Sequence, residues 1–154
     1  PMSEAATAMS SFGVAVIVGR LAIGWLVDRF WAPGVAAAAI ALPVIACLML
    51  LQSLTLSNAI LASLLLGFAA GAELDLMAFL AAKYFGTAHY AKIYGFLYAG
   101  LASASGIAPS MYAWLYETMG THNAGFQLGA VAFTASALLV LCLGRYPTFN
   151  ASKL

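Results

Sequence analysis

The stretch GRLAIGWLVDR, Gly19–Arg29, ends a long apolar run in a charged turn and places an arginine inside that run. Arg20 is the only ionisable side chain between residues 5 and 27. An arginine at the centre of a membrane helix costs roughly 2.5 to 3.5 kcal/mol, so such a residue normally faces protein or water. Arg20 is therefore the first candidate for a functional residue.

The composition is that of an integral membrane protein. Hydrophobic residues make up 64% of the 154 residues, and charged residues make up 7%. A water-soluble domain of this size has too little polar surface to cover so many apolar side chains. A helix needs roughly 20 residues to cross the hydrocarbon core of a bilayer. Five apolar runs have that length: residues 5–27, 34–53, 59–82, 92–116 and 125–145. The sequence thus predicts an all-α membrane protein with five transmembrane helices and no soluble domain.

The basic residues predict the orientation of these helices. Apart from Arg20, every Lys and Arg lies in the turn after the first run, at the turn between the third and fourth runs, or at and beyond the end of the fifth run: Arg29, Lys83, Lys92, Arg145 and Lys153. Cytoplasmic loops carry the excess of Lys and Arg in membrane proteins. We therefore expect a multi-pass protein with its N-terminus outside and its C-terminus in the cytoplasm.

Arg20 is suited to binding an anion. It lies about 10 Å from the predicted cytoplasmic end of its helix, which is too deep for easy contact with water. A guanidinium stays charged there and matches a carboxylate through two parallel hydrogen bonds. We expect Arg20 to contact an anionic substrate, and the alternative is an ion pair with Glu73 or Asp75.

Glu73 and Asp75 are predicted to have different roles, because residues two apart on a helix project about 200° from each other. Asp75 continues a stripe of small residues, Gly67 and Gly71, which favours a close contact with another helix. A carboxylate within a membrane helix is a candidate for carrying a coupled proton, so either residue could serve in that way. Ion pairing or a helix-end contact is the alternative for both.

Hydroxyl side chains follow one face of the fourth run. The stripe contains Tyr94, Tyr98, Ser105, Tyr112 and Tyr116. We expect Tyr98 and Ser105 to hydrogen-bond a small polar solute, although such stripes equally often join helices to one another.

The charged turn after the first run is a candidate gate. Gly24 would allow another helix to approach closely. Asp28, which is next to Arg29 in the sequence, would accept a hydrogen bond from the N-terminus of a neighbouring helix. The alternative is a simple anchor at the membrane surface.

No arrangement of residues points to catalysis, a metal or a nucleic acid. The sequence contains no Ser/His/Asp set, no phosphate-binding glycine loop and no zinc motif. It also has no basic, aromatic-interleaved patch. We therefore expect no enzyme activity, no cofactor beyond a possible coupled proton, and movement of a solute across the membrane.

The segment Gly19–Phe30 resembles the cytoplasmic turn motif G-x-x-x-D-R of the major facilitator superfamily. The segment Gly71–Gly95, an acidic helix followed by K-Y-F-G and Y-G, is similar to helices 10 and 11 of the branch that contains monocarboxylate transporters and oxalate:formate antiporters. The resemblance covers nearly the whole chain as helices 8 to 12. It implies that the first, third and fourth runs line a central cavity, while the second and fifth lie outside.

The resemblance also implies a role for Arg20, which falls at the position of the arginine that binds the substrate carboxylate in monocarboxylate transporters. Two differences limit the transfer. Val16 stands where animal monocarboxylate transporters have an aspartate, and no lysine like that of oxalate exchangers follows Lys92 in the fourth run. A single fixed positive charge is better matched to a monoanion than to a dianion.

The sequence therefore predicts part of a secondary transporter for a small organic anion, with a monocarboxylate as the expected substrate, in a plasma membrane of the bacterial inner-membrane type. Because Pro1 precedes Met2 and alternating access needs two repeats, we expect further helices upstream as partners, together with the lipid bilayer. The alternatives are an exporter of drugs or other solutes in the same superfamily, and a membrane subunit that does not transport.

Overall fold

The structure, a computed structural model, describes residues 2–147, with side chains from residue 6 onward. Five helices follow one another: α1 (Met2–Val27), α2 (Ala32–Gln52), α3 (Leu56–Phe85), α4 (Tyr90–Met119) and α5 (Asn123–Leu141). The described range contains no strand. The predicted all-helical architecture is confirmed, whereas Lys153 lies outside the described residues.

Four of the described helices are long and apolar enough to cross a membrane. They are α1 from Ala6, α2, α3 and α5. Helix α4 has 30 residues, which is also long enough, but it is less apolar because its tyrosines and serines interrupt the hydrophobic run. The polar stripe predicted for the fourth run therefore distinguishes α4 from the other helices.

The helix ends differ from the apolar runs by a few residues, and local chemistry explains the differences. Helix α2 begins at Ala32 with Pro33 in its first turn, where a missing N–H costs nothing. The side chain of Thr55 caps α3 by accepting from the Asn58 backbone N–H at 3.3 Å. Helix α5 ends at Leu141, earlier than the apolar run, and Gly144 follows in a left-handed conformation with φ of 67°.

Helices α1 and α3 approach each other at backbone distance along a line of glycines. A side chain at Gly19 would overlap the Phe68 carbonyl, and one at Gly71 would overlap the Val16 carbonyl. Gly67 likewise lies against the backbone of Phe12. Glycines at a helix contact let backbones pack closely, and such van der Waals packing is one of the forces that drive helix association in a membrane.

Helix α2 packs between α3 and α5, and α4 makes only light contact with α3 and α5. The best-buried cluster lies where α1, α2 and α3 meet: Ile23, Ala36, Ala39, Ala72 and Leu76. Three of these five residues are alanines, which keep the helix axes close. In contrast, α4 contains no buried residue. The bundle is thus firmest around α3 and most open along α4.

Candidate functional site

The α1–α3 contact carries a charged pair. The Nε atom of Arg20 lies 3.6 Å from Oδ2 of Asp75, and the two side chains are 53% and 45% exposed. This distance is longer than a hydrogen bond, so the pair is held by charge attraction. Among the side chains of residues 6–147, Arg20 has no other hydrogen bond or ion pair.

The glycine contact explains why these two charges meet. Gly19 precedes Arg20 directly, and Gly71 lies one turn before Asp75 on the same face of α3. Because the backbones of α1 and α3 touch at both glycines, the side chains of Arg20 on α1 and Asp75 on α3 are placed beside each other. The stripe of Gly67, Gly71 and Asp75 does face another helix, and that helix is α1.

Glu73 lies on a different face of α3. It lines a groove between α2, α3 and α5 together with Ala69, Ala70 and Met77. Among the side chains of residues 6–147, Glu73 has no hydrogen bond or ion pair. The two carboxylates of α3 therefore occupy separate surroundings, as their angular separation of about 200° predicts.

Tyr98 and Ser105 are not brought to Arg20 in the described residues. Both are exposed on α4, and α4 makes no contact with α1. Tyr98 instead continues a ladder of rings, with its centroid 6.3 Å from that of Tyr94, which lies 5.6 Å from Tyr90. The predicted substrate-binding set is thus divided between two separated helices, and its role stays a prediction.

The predicted gate residues are at the end of α1 and in the turn that follows. The Arg29 guanidinium lies 4.4 Å from the centre of the Trp25 ring, a cation–π contact. Asp28 is exposed, and no helix lies within 4 Å of a side chain built at Gly24. Within the described residues, the close contact of α1 is made by Gly19 instead. The gating role of Gly24, Asp28 and Arg29 stays a prediction.

The N-terminus of α2 has a partner that the sequence analysis did not identify. The Ala32 backbone N–H donates to the Tyr146 hydroxyl at 2.8 Å, across 114 residues of sequence. Tyr146 packs against Tyr84, with ring centroids 5.5 Å apart, and the Tyr84 hydroxyl donates to the Gly144 carbonyl at 2.6 Å. These contacts join the start of α2, the end of α3 and the segment after α5. One signal was present: Trp31 precedes α2 and cannot cap it, so the first N–H groups need another acceptor.

A second tyrosine joins α4 to α5. The Tyr112 hydroxyl donates to the Gly125 carbonyl at 2.7 Å, and its ring occupies the space where a side chain at Gly125 would stand. Tyr112 belongs to the predicted hydroxyl stripe, but it serves as a contact between helices.

The fold and the charged pair define a class: a polytopic helical membrane protein with an ion pair within its membrane-spanning helices. The sequence profile of the Major Facilitator Superfamily matches residues 1–153. The chain belongs to this superfamily. Membership supports a role in transport in general, and it agrees with the resemblance carried by Gly19–Phe30.

Curated relatives are similar over most of the chain. Monocarboxylate transporter 12-B of Danio rerio is 29% identical over 156 residues, which cover 97% of this chain and 33% of the relative. Monocarboxylate transporter 12 of Rattus norvegicus is 32% identical over 143 residues, which cover 89% of this chain and 29% of the relative. The chain therefore spans about a third of the length of the relatives that it matches. No solved structure matches significantly.

Proposed function

We propose that this chain is part of a secondary transporter that moves a small organic anion, a monocarboxylate, across the plasma membrane by alternating access. The observation that carries the proposal is the state of Arg20. It is a half-exposed guanidinium on a membrane-spanning helix, and its one ionic partner in the described residues is Asp75, at 3.6 Å from Nε. The relatives named as monocarboxylate transporters support the same substrate class.

Arg20 can bind a carboxylate without losing its present contact. The pair with Asp75 uses Nε, which leaves the two terminal nitrogens of the guanidinium to donate to a substrate. Such charge-assisted bonds are worth about 1.5 to 3 kcal/mol each. A guanidinium held beside an acid is therefore able to recognise a carboxylate and also to release it.

Charge balance favours proton coupling through Asp75. Arg20 and an ionised Asp75 together carry no net charge, so a bound monocarboxylate leaves a net negative charge within the membrane. An uncompensated charge in this environment is costly. Protonation of Asp75 removes this net negative charge, and substrate and proton then cross the membrane together. Glu73, which has no contact with Arg20, is the less suitable coupling group.

The rest of the site and the gate are assigned to other residues of this chain. In this proposal Tyr98 and Ser105 complete the wall of the substrate cavity. Gly24, Asp28 and Arg29 stabilise one closed arrangement of the two halves of the transporter. Alternating access moves two helical repeats around a central site. Helices outside these 154 residues therefore bring α4 and α1 to the same cavity.

Uptake into vesicles that contain the complete protein tests the proposal. Labelled lactate, pyruvate, formate and oxalate are supplied to the wild type and to Arg20→Gln, with Glu117→Gln as a control for a charge change on α4. Uptake of one of the monocarboxylates should fall at least tenfold in Arg20→Gln, which corresponds to about 1.4 kcal/mol. Asp75→Asn should remove the dependence of uptake on an inward proton gradient. Uptake that is unchanged in Arg20→Gln would refute the role of Arg20.

A further inference from the structure

A large groove lies on the side of α3 that faces away from the Arg20–Asp75 pair. It has a volume of about 700 Å³ and is formed mainly by α2, α3 and α5. Most of its wall consists of aliphatic and small side chains, among them Ile40, Pro43, Leu66, Met77 and Val140. This volume is typical of a site for a small organic molecule, for which about 300 to 1,000 Å³ is usual.

Among the residues that the structure describes, Glu73 is the only charged one in the wall of the groove. Arg20, on the neighbouring helix, is engaged with Asp75 on the other side of α3. The Tyr84 hydroxyl, which also lines the groove, already donates to the Gly144 carbonyl. A carboxylate that faces an apolar groove without a partner is stabilised by a cation that brings its own apolar surface.

The surroundings of Glu73 favour an organic cation over a metal ion or a lipid headgroup. A metal such as Ca²⁺ takes about six to eight oxygen ligands, whereas Glu73 is the one carboxylate here. Glu73 also lies twelve residues before the end of α3 at Phe85, about 18 Å along the helix. The ammonium group of a phospholipid, which stays at the membrane surface, does not reach this depth.

Aromatic rings in the wall complement a cation of this kind. The groove is lined by Phe12 and Phe133, and at the end of α3, about 16 to 18 Å along the helix from Glu73, by Tyr84 and Phe85. The face of an aromatic ring attracts a desolvated cation, and its area contacts an apolar body. We propose that the groove binds a lipophilic organic cation, whose charge pairs with Glu73 and whose apolar body fills the space between α2, α3 and α5. This site goes beyond the anion site at Arg20 and does not depend on it.

Equilibrium binding of labelled tetraphenylphosphonium to the complete protein tests the proposal. The protein is placed in nanodiscs of phosphatidylcholine at neutral pH, and the variants are Glu73→Gln and the matched Glu117→Gln on α4. The wild type and Glu117→Gln should bind the cation saturably, whereas Glu73→Gln should weaken binding at least tenfold. Tetramethylammonium, which has the charge without the large apolar body, should bind at least tenfold more weakly than tetraphenylphosphonium.

A second variant tests the position of the apolar body. Ala70→Phe places a ring in the groove and leaves the carboxylate in place, so it should also weaken tetraphenylphosphonium binding, with thermal unfolding recorded to verify the fold. Glu73→Gln that binds as tightly as the wild type would overturn the proposal. Absence of saturable binding by the wild type would overturn it as well.

Discussion

The glycine contact between α1 and α3 gives the sharpest prediction about stability. A methyl group at Gly71 would lie 3.0 Å from the Cα of Val16 and overlap its carbonyl oxygen. Ordinary contacts between such atoms are about 3.5 to 4.0 Å, and because the carbonyl oxygen is the nearest atom, the helices must move apart by roughly 1 Å or more. The obstacle is backbone, which cannot turn aside as a side chain does. Gly71→Ala therefore strains the whole contact, including the Arg20–Asp75 pair.

The magnitude follows from two opposing effects. Overpacking of a close contact costs about 1 to 3 kcal/mol, and alanine offsets about 1 kcal/mol through its better helix propensity. The net loss of stability is up to about 2 kcal/mol. A loss of that size lowers the Tm of a domain of about 150 to 250 residues by up to about 8 °C and the Tm of a longer protein by less, so we expect a decrease of a few degrees in the complete protein.

Thermal unfolding of the complete protein in detergent, followed by tryptophan fluorescence, measures this effect. Gly13→Ala on α1 is the matched control, because a side chain there meets no atom within 4 Å. The control should be as stable as the wild type or more so. If Gly71→Ala unfolds at the same temperature as Gly13→Ala, the close α1–α3 contact is not formed in the protein.

Two tyrosine contacts give further predictions. Tyr146→Phe removes the acceptor of the Ala32 N–H and should lower the free energy of unfolding by about 0.5 to 1.5 kcal/mol. Hydrogen exchange at the Ala32 amide should become faster. Tyr116→Phe is the control for loss of a tyrosine hydroxyl. If Ala32 exchanges at the wild-type rate in Tyr146→Phe, this contact does not cap α2. Tyr112→Ala should restore part of the stability lost in Gly125→Ala, because the Tyr112 ring and the new methyl group would occupy the same space. A double-mutant cycle measured by thermal unfolding should give a coupling free energy of at least about 0.5 kcal/mol. Additive effects of the two substitutions would contradict the contact between the Tyr112 ring and Gly125.

Much of the fold follows from local patterns in the sequence. The five apolar runs predict the five helices, and four of the described helices are long and apolar enough to cross a membrane. The ends were less predictable. Helix α5 stops at Leu141 although apolar residues continue to Leu143, because the chain turns at Gly144. That turn brings Tyr146 to α2 and depends on tertiary contacts that no local pattern encodes.

The charged pair was only partly predictable, for a geometric reason. The spacing of Glu73 and Asp75 separates their faces, and the glycine stripe marks Asp75 as the residue that faces another helix. On α1, however, the sequence drew attention to Gly24, whereas Gly19 makes the close contact. The two glycines lie about 140° apart around α1, so they cannot face the same neighbour, and the sequence does not specify the rotation of the helix.

A comparison of lactate with its neutral amide tests most directly whether Arg20 recognises a carboxylate. Binding of lactate and lactamide to the complete protein is measured by calorimetry for the wild type and for Arg20→Gln. The wild type should prefer lactate by about 10- to 100-fold, as one charge-assisted hydrogen bond provides about 1.5 to 3 kcal/mol. Arg20→Gln should lose that preference and keep its affinity for lactamide. A preference for lactate that survives in Arg20→Gln would contradict the account.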